Sequence, residues 1–440
     1  MKSTGNFLIF ILFLLSGTHA IPALRISMLG FSTPYSILTF YIIVVLVIGK
    51  VVADRGRMKF PPALFAGFMI YFFSIVVSGC FAVQLDNEVL FKWFFFPLMP
   101  ICIALIADRV DLIKKSLVLF MISGVCVFFY GIYGFVTWNV GDIWQHTLGY
   151  FGVTYEGSSR NGDMLYLQST FWILVAISLY AEGVRKSLRV LCAVLAAMVG
   201  MGLILSLARG AWLSGLITVV ALIAIQRSLK RAHGVPQTKF LKLKLAVISL
   251  LIFGLLSLFN SIAGDDYQKL ISARTDSMAT LSEDGGNSNL ARSRLLMKAS
   301  EIAITHPLGV GVWNLKYHLE DFYMTGLASA ENIYFHMAAE QGFIGLGSYL
   351  FILAWTGKRL YRYLIICKQS SERWVGWCLM CILINWTAYG LFNIMIETLW
   401  YWLGISLAVT AANMVERGCL KAPAEVEDKQ LALPLEREGY

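Results

Sequence analysis

The stretch VLCAVLAAMVGMGLILSLARGAWLSGLITVVALIAI (residues 190–225) contains one charged residue, Arg209, between two long apolar segments. The whole chain has the same character, with 58% hydrophobic and 14% charged residues, whereas about a quarter of the residues in a soluble protein are charged. Apolar runs of roughly 18 residues or more recur along the chain and indicate transmembrane helices. Because lipid offers no partners for backbone N–H and C=O groups, the sequence predicts an all-α, polytopic membrane protein.

Hydropathy divides the chain into about twelve predicted transmembrane helices. The first segment is also typical of a secretory signal peptide, because Lys2 precedes an apolar core and the small-residue ending Thr18-His19-Ala20 follows it. Since the chain begins at Met1, we favour a retained helix. The predicted spans lie near 6–22, 36–53, 62–83, 90–107, 116–138, 162–180, 188–206, 211–226, 243–262, 332–356, 374–391 and 393–412.

The loops between these spans alternate in lysine and arginine content. One set of loops holds three to six of these residues each, and the intervening short loops hold none or one. Cytoplasmic loops are the enriched set in membrane proteins, so both termini are predicted to be cytoplasmic. This topological signal accounts for the net charge of +9, which does not indicate nucleic-acid binding. The predicted parts are spans one to nine (1–262), a large external loop (263–331), spans ten to twelve (332–417) and a disordered tail (418–440).

The long loop contains an amphipathic segment, ARSRLLMKASEIAIT, at residues 291–305. Its apolar side chains fall on one stripe of a helix, which favours a helix lying on the membrane surface. Ser288 or Asn289 is expected to cap this helix, and the sequence HPLGVG at 306–311 predicts a tight turn after it. The stripe consists of Leu295, Ala299, Ile302 and Ala303.

Arg209 lies at the external surface in this topology, just before the eighth predicted span. A helix N-terminus favours anions, and a guanidinium offers a fork of donors matched to phosphate oxygens. The alternative is an arginine that only anchors a helix end. Arg160, Arg292 and Arg294 are expected on the same external face, which favours an anion-binding role.

His336 and Glu340 are four residues apart near the outer end of the tenth predicted span, so they share one helix face. Ionisable groups inside a span are candidates for function. The alternative is a hydrogen-bonded structural pair. His306 and His318 are better explained as structural, since one precedes a proline turn and the other stands alone in a loop.

Three motifs occur in order and all on the predicted external face. The sequence resembles the O-antigen ligase/polymerase family in these motifs, which lie within about residues 200–345. The resemblance implies a glycosyltransferase of GT-C-like architecture in the bacterial inner membrane, which transfers a glycan from undecaprenyl pyrophosphate to an acceptor at the periplasmic face. The motifs are SLARGAW at 206–212, the segment from Arg292 to HPLGVG at 306–311, and the segment from Asn332 through Glu340 to Gly342.

By motif position, the resemblance implies catalytic roles for Arg209 and Arg292, with Arg294 as the alternative loop arginine. His336 is expected to be the base that deprotonates the acceptor hydroxyl. Glu331 is the rival base, because many relatives carry a histidine at its position directly before the asparagine. The residues expected to bind substrate are Arg160, Arg294, Trp212, Asn332 and Glu340.

Among the activities of this family, we favour an O-antigen ligase that uses the lipid A–core oligosaccharide as acceptor. An O-antigen polymerase and a protein O-oligosaccharyltransferase are the alternatives within the family, and a lipid-linked glycan transporter is the alternative from another class. No cofactor and no metal are expected, because the loop at 23–35 contains no Asp or Glu. The nearest acidic pairs, Asp86 with Glu88 and Asp265 with Asp266, are not near a motif.

Overall fold

The computed structural model shows a helical protein with one short β-hairpin among the residues that it describes. Strand β1 (Arg25–Met28) pairs antiparallel with β2 (Phe31–Pro34). This hairpin adds to the predicted all-α fold, and it lies in the predicted external loop at 23–35. The structure describes residues 2–16, 25–28, 31–53, 60–107, 109–137, 160–181, 183–205, 208–235, 246, 248–257, 287–319, 330–367, 372–396 and 398–418.

The first part of the chain supplies six helices among the described residues. Asp86 caps the fourth of these, because its Oδ1 accepts hydrogen bonds from the backbone N–H groups of Glu88 and Val89 at 3.1 and 3.2 Å. Pro97 separates the fourth helix from the fifth. The helices are α1 (Lys2–Leu14), α2 (Tyr35–Ala53), α3 (Pro62–Gly79), α4 (Asn87–Phe95), α5 (Leu98–Ile106) and α6 (Val110–Thr137).

The second part of the chain carries the motifs. Its elements are α7 (Arg160–Tyr180), α8 (Lys186–Leu205), α9 (Arg209–His233), α10 (Ile248–Ser257), α11 (Asn287–Thr305), a 3-10 turn (Leu315–His318), α12 (Ile333–Glu340), α13 (Gly342–Ile366), α14 (Arg373–Tyr389) and α15 (Leu399–Glu416). Helix α9 ends at His233, and the next residue, Gly234, caps it with a φ of +60° in the left-handed region that glycine adopts without steric cost.

Five helical segments among the described residues are long and apolar enough to cross a membrane. They fall within α3, across α4 and α5, and within α6, α8 and α9. Shorter apolar helices occur at Thr4–Leu14, Ile37–Val52, Met164–Tyr180 and Ile248–Ser257. The protein is therefore a polytopic helical membrane protein, while the count of twelve spans and the GT-C-like architecture stay predictions.

The tenth predicted span, 332–356, is two helices rather than one. Helix α12 ends at Glu340 and α13 begins at Gly342, whose φ is +71°. A β-carbon at Gly342 would lie 2.3 Å from the carbonyl oxygen of Pro307. The chain breaks here because the HPLGVG turn packs against the backbone of residues 340–342, so the break is a tertiary feature that hydropathy does not report.

Helix α11 has the predicted apolar stripe, but the stripe faces protein. All four of its side chains are buried, and Leu295, Ala299 and Ile302 form a separate core with Val310, Leu315 and Ala339 beneath α12. This corrects the expectation that the stripe rests on the membrane. The helix begins at Asn287, so Ser288 and Asn289 lie inside its first turn rather than at its cap. The four residues are Leu295, Ala299, Ile302 and Ala303.

The packing of the main bundle determines which motifs meet. Helix α7 packs against α6, α8 and α14, α3 packs against α13, and α5 packs against α15. Helix α9 packs against α14, and the buried core of these helices includes Trp377, Trp386, Trp400 and Trp402. The first turn of α9 is therefore brought beside the connection that leaves α14.

Candidate functional site

Arg209 is the first residue of α9. The preceding residue, Ala208, has extended φ and ψ angles of −82° and 92° and offers no side chain to cap the helix. The first turn of a helix directs N–H groups outward and carries the positive end of the helix dipole. The backbone thus places a positive helix end at the Arg209 position, while the Arg209 side chain lies outside the described part of the structure.

The start of α9 lies against the turn that follows α14. A β-carbon at Gly210 would lie 2.9 Å from Asn393 Nδ2 and 2.9 Å from the Cβ of Phe392. Glycine at this position therefore allows the Arg209 backbone to approach the turn closely.

The same turn holds the start of α12. The backbone N–H of Ile333 donates to the carbonyl of Gly390 at 2.9 Å, and Asn332 Nδ2 donates to the carbonyl of Leu391 at 3.0 Å. The Oδ1 of Asn332 accepts from the N–H groups of residues 334 and 335 at 2.9 and 3.2 Å and so caps the helix. The amide of Asn332 joins two backbone segments, and the first turns of α9 and α12 meet at one turn.

Arg292 pairs with Glu331 at this place. One guanidinium nitrogen (Nη2) of Arg292 lies 3.8 Å from Glu331 Oε2, and the two side chains are 41% and 23% exposed. Glu331 itself has a φ of +49°, an unusual value for a residue other than glycine. Arg294 is exposed, and because it is two residues from Arg292 it lies on a different face of α11. Of the two loop arginines, Arg292 is the one beside the start of α12.

The surroundings of Glu331 change its proton affinity. Burial raises the pKa of Glu331 above its ordinary value, while the positive charges of Arg292 and His336 lower it. The net direction is upward, which makes this carboxylate a stronger base than an exposed glutamate. A carboxylate with a raised pKa, held next to an arginine at a helix start, is a candidate for proton transfer.

His336 is fully buried one turn further along α12. Its Nε2 lies 3.2 Å from Glu340 Oε2, as expected for two residues on one helix face. The rings of Trp93 and Trp313 flank the imidazole, with ring centroids 5.8 and 6.4 Å from that of His336. The structure thus places His336 behind two indoles and not on the solvent-facing surface.

Glu340 holds the loop that precedes it in the sequence. Its Oε2 accepts a hydrogen bond from the backbone N–H of Trp313 at 2.7 Å, and its Oε1 accepts one from the N–H of Leu315 at 3.2 Å. This contact with two backbone N–H groups was missed by sequence reasoning, because backbone donors leave no mark in a sequence. The carboxylate therefore fixes residues 313–315 as well as facing His336.

The HPLGVG turn interlocks with the break between α12 and α13. The N–H of Val310 donates to the carbonyl of Ala339, and that of Gly311 to the carbonyl of Glu340, both at 3.0 Å. A β-carbon at Gly309, whose φ is +87°, would lie 2.3 Å from the Glu340 carbonyl oxygen. The glycine of this motif lets two backbones touch, and it positions α11 and α12 relative to each other.

The part of the chain that contains this site resembles a known protein family. Residues 191–350 match a family model described as O-Antigen ligase. This segment, 160 of the 440 residues, is similar to the O-antigen ligase family. The match contains the first turn of α9, all of α11 and α12, and the HPLGVG turn, and the family implies a glycan-transferring membrane enzyme of the O-antigen ligase or polymerase type. No curated protein matches the chain.

Trp212 and Arg160 are two further residues predicted to bind substrate, and this role stays a prediction. Trp212 is half-buried within the O-antigen ligase segment, and its indole N–H donates to the carbonyl of Leu203 at 3.1 Å. This bond ties the end of α8 to the start of α9. Arg160 is the first residue of α7, and its side chain lies outside the described part of the structure.

A buried amide cluster beneath Arg209 was missed by sequence reasoning. Gln168 Nε2 donates to the carbonyl of Ala211 at 2.6 Å and to Ser214 Oγ at 3.0 Å, and Asn385 Nδ2 donates to Gln168 Oε1 at 3.1 Å. These bonds join α7, α9 and α14 below the first turn of α9. The signal was an isolated amide inside each of two apolar spans.

The two loop histidines lie together outside this site. The ring centroids of His306 and His318 are 5.6 Å apart, and His306 Nδ1 lies 3.0 Å from the Thr305 hydroxyl. Burial lowers the pKa of His318, and the nearby charges of His306 and Lys298 lower it further. His318 therefore does not stand alone in its loop as expected, and a structural role for both histidines stays a prediction.

Within the described part of the chain, no group of three or more His, Cys, Asp or Glu residues is arranged to hold a metal ion. Asp86 caps α4, and Glu88 forms an ion pair with Lys92 at 2.6 Å. Asp265 and Asp266 lie outside the described residues.

Proposed function

We propose that this protein is an O-antigen ligase, which transfers a glycan from undecaprenyl pyrophosphate to the lipid A–core oligosaccharide at the periplasmic face of the inner membrane. The observation that carries the proposal is the Arg292–Glu331 pair at the start of α12. The turn that anchors this helix start also contacts the first turn of α9, where Arg209 begins the helix. Two arginine positions and a carboxylate of the family segment thus meet at one end of the bundle.

The reaction needs positive charge on the leaving group. The acceptor hydroxyl oxygen attacks the anomeric carbon, the bond from that carbon to pyrophosphate oxygen breaks, and the pyrophosphate leaves with the electron pair. We assign Arg209 and Arg292 to this developing negative charge, because guanidinium groups bind phosphate oxygens in pairs. Arg160 and Arg294 would bind the lipid-linked donor at the edge of the site. Because the arginines would neutralise the pyrophosphate, the transfer reaction would need no metal ion.

The proton of the acceptor hydroxyl needs a base. Exposure and pKa support Glu331 in this role, since its carboxylate is partly exposed and its pKa is raised. Pyrophosphate at Arg292 would offset the positive charge that lowers this pKa, so donor binding would strengthen the base. His336, the base favoured by the sequence, could act directly only if a flanking indole moved; otherwise it is a positioning residue held by Glu340.

Transfer by the purified protein in lipid nanodiscs tests the proposal. The donor is an undecaprenyl-pyrophosphate-linked glycan, and the acceptors are rough lipopolysaccharide, none, or a pilin-like peptide. We expect glycan on the lipopolysaccharide, with EDTA present throughout. Elongated donor without acceptor would identify a polymerase, glycosylated peptide a protein transferase, and movement of intact donor across vesicles without transfer a transporter.

Sided labelling tests the orientation. Ser293→Cys on exposed α11 should react with an impermeant maleimide in intact spheroplasts, whereas Lys358→Cys on α13 should react only after lysis. Labelling in the reverse order would place the arginines on the cytoplasmic side and exclude the proposed reaction.

A further inference from the structure

Trp313 has a backbone conformation that a bulky residue rarely adopts. Its φ is +61°, in the left-handed region, and such strain persists only where surrounding contacts impose it. One of those contacts is the hydrogen bond from its N–H to Glu340 Oε2 at 2.7 Å. The neighbouring glycines of the loop show that this segment accommodates glycine readily, so the indole itself needs an explanation.

Asn314 supplies the other contacts that hold the loop. Its Oδ1 accepts from the backbone N–H of Gln84 at 2.9 Å, and its Nδ2 donates to the carbonyls of Gln84 and Val312, both at 2.8 Å. Asn314 is fully buried. The loop is therefore fixed to two separate parts of the chain, and it presents the Trp313 side chain in one direction.

The indole of Trp313 is half-buried and covers His336 on one side. Lys316 Nζ lies 5.5 Å from the centroid of the Trp313 ring and 5.1 Å from that of Tyr317. Tyr317 is exposed, and its hydroxyl donates to Gln84 Oε1. Two aromatic rings and the ammonium group beside them thus lie next to His336 and Glu340 of α12, the helix that starts beside Glu331.

We propose that Trp313, Lys316 and Tyr317 form a sugar-binding subsite, an inference that rests on the proposed function. The apolar C–H face of a pyranose packs against an aromatic ring, and an ammonium between two rings donates to a sugar hydroxyl or carboxylate. The ligand is a sugar ring next to the bond being made, from either the donor glycan or the acceptor oligosaccharide. The strained loop holds the indole where this ring lies against it.

Kinetics of Trp313 variants test the subsite and separate the two sources. Trp313→Leu should raise KM about tenfold for the substrate whose sugar binds there and leave kcat nearly unchanged. Trp313→Phe should recover most of this loss. The matched control is Trp355→Leu on α13, where the Arg359 guanidinium carbon lies 5.2 Å from the ring centroid, and its KM values should equal those of the wild type.

Binding of lipid-free sugars gives a second readout. The probes are the core oligosaccharide and the donor glycan, each released from its lipid by mild acid. We expect the wild type to bind one of them, and Trp313→Leu and Lys316→Ala to bind it about tenfold more weakly. Trp313→Gly removes the ring and relieves the positive φ, so weak binding with unchanged thermal stability would exclude unfolding as the cause.

The two proposals fail differently. Unchanged KM values and unchanged sugar binding in Trp313→Leu and Trp313→Gly would overturn the subsite while transfer by the wild type continued. Sugar binding that depends on Trp313 in a protein without transfer activity would support the subsite and overturn the ligase.

Discussion

The two ends of the helical bundle use their charged residues differently. At the end predicted to be cytoplasmic, Lys114 lies 2.6 Å from Glu372 and Arg359 lies 2.8 Å from Glu416, and each pair joins two elements distant in sequence. At the end with the family motifs, Arg292 and Glu331 are 3.8 Å apart and partly exposed. All three pairs are partly exposed, but only the two at the predicted cytoplasmic end are within hydrogen-bond distance, so the Arg292–Glu331 pair is the most loosely held of the three.

Loss of Arg209 should have the largest effect in this comparison. Arg209→Ala should reduce transfer by on the order of 10²–10³-fold, the usual effect of removing one stabilising donor from a reaction centre. Arg209→Lys should recover only part, because an ammonium lacks the fork of the guanidinium. Arg359→Ala at the other end is the control and should transfer at the wild-type rate. Full activity in Arg209→Ala would make this residue a helix anchor.

Loss of the proposed base, Glu331, should have the second-largest effect on transfer, and it should change the dependence of activity on pH. Glu331→Gln should reduce kcat/KM by about 10²-fold, the lower end of the usual effect of removing a general base. The base must be deprotonated, so wild-type activity should fall as the pH drops through the raised pKa of Glu331, above its ordinary value of 4.5. The residual activity of Glu331→Gln should lack this acid limb. If His336→Ala stops turnover and Glu331→Gln retains the limb, His336 is the base.

A substitution in the HPLGVG turn should lower the free energy of unfolding of the protein. Gly309→Ala places a β-carbon 2.3 Å from the Glu340 carbonyl oxygen at a φ of +87°, so it should lower the free energy of unfolding by about 1–3 kcal/mol or displace the turn. Gly347→Ala on α13 is the matched control, since nothing lies within 4 Å of its β-carbon. Thermal unfolding in nanodiscs measures both. Equal stability of the two variants would contradict the packing of the turn against α12.

The smallest effect should come from the ion pairs at the far end. Glu416→Gln removes the partner of Arg359 from a pair whose side chains are 37% and 21% exposed. Such pairs contribute about 0–1 kcal/mol to the free energy of unfolding, so the melting temperature should move by a few degrees at most and transfer should not change. A large loss of transfer would mean that this end also takes part in the reaction.

Periodicity and charge predicted much of this architecture, for reasons that differ by element. The stripe of α11 was visible because a buried helix face repeats every three to four residues, whatever it packs against. An apolar stripe has the same sequence pattern whether it packs against lipid or against protein. The prediction that this stripe rests on the membrane was therefore wrong. The membrane character followed from composition, because apolar length is itself the property that inserts a helix.

The arrangement of side chains inside the site could not be predicted, because it depends on contacts between residues that are far apart in the sequence. His336 is buried because Trp93 and Trp313, from two distant segments, cover its ring. Glu340 binds backbone N–H groups, which every residue has, so its role in fixing the loop left no pattern. The division between α12 and α13 at Gly342 depends on a close approach of the HPLGVG turn, which is a tertiary contact.

The most direct test of the reaction centre compares the two neighbouring loop arginines in one assay. We would measure kcat/KM for the lipid-linked donor with Arg292→Ala and Arg294→Ala, which differ in that only Arg292 lies beside Glu331. We expect Arg292→Ala to lose on the order of 10²-fold or more and Arg294→Ala, at the periphery, to lose no more than about tenfold. Equal losses, or a greater loss in Arg294→Ala, would contradict a reaction centre at the start of α12.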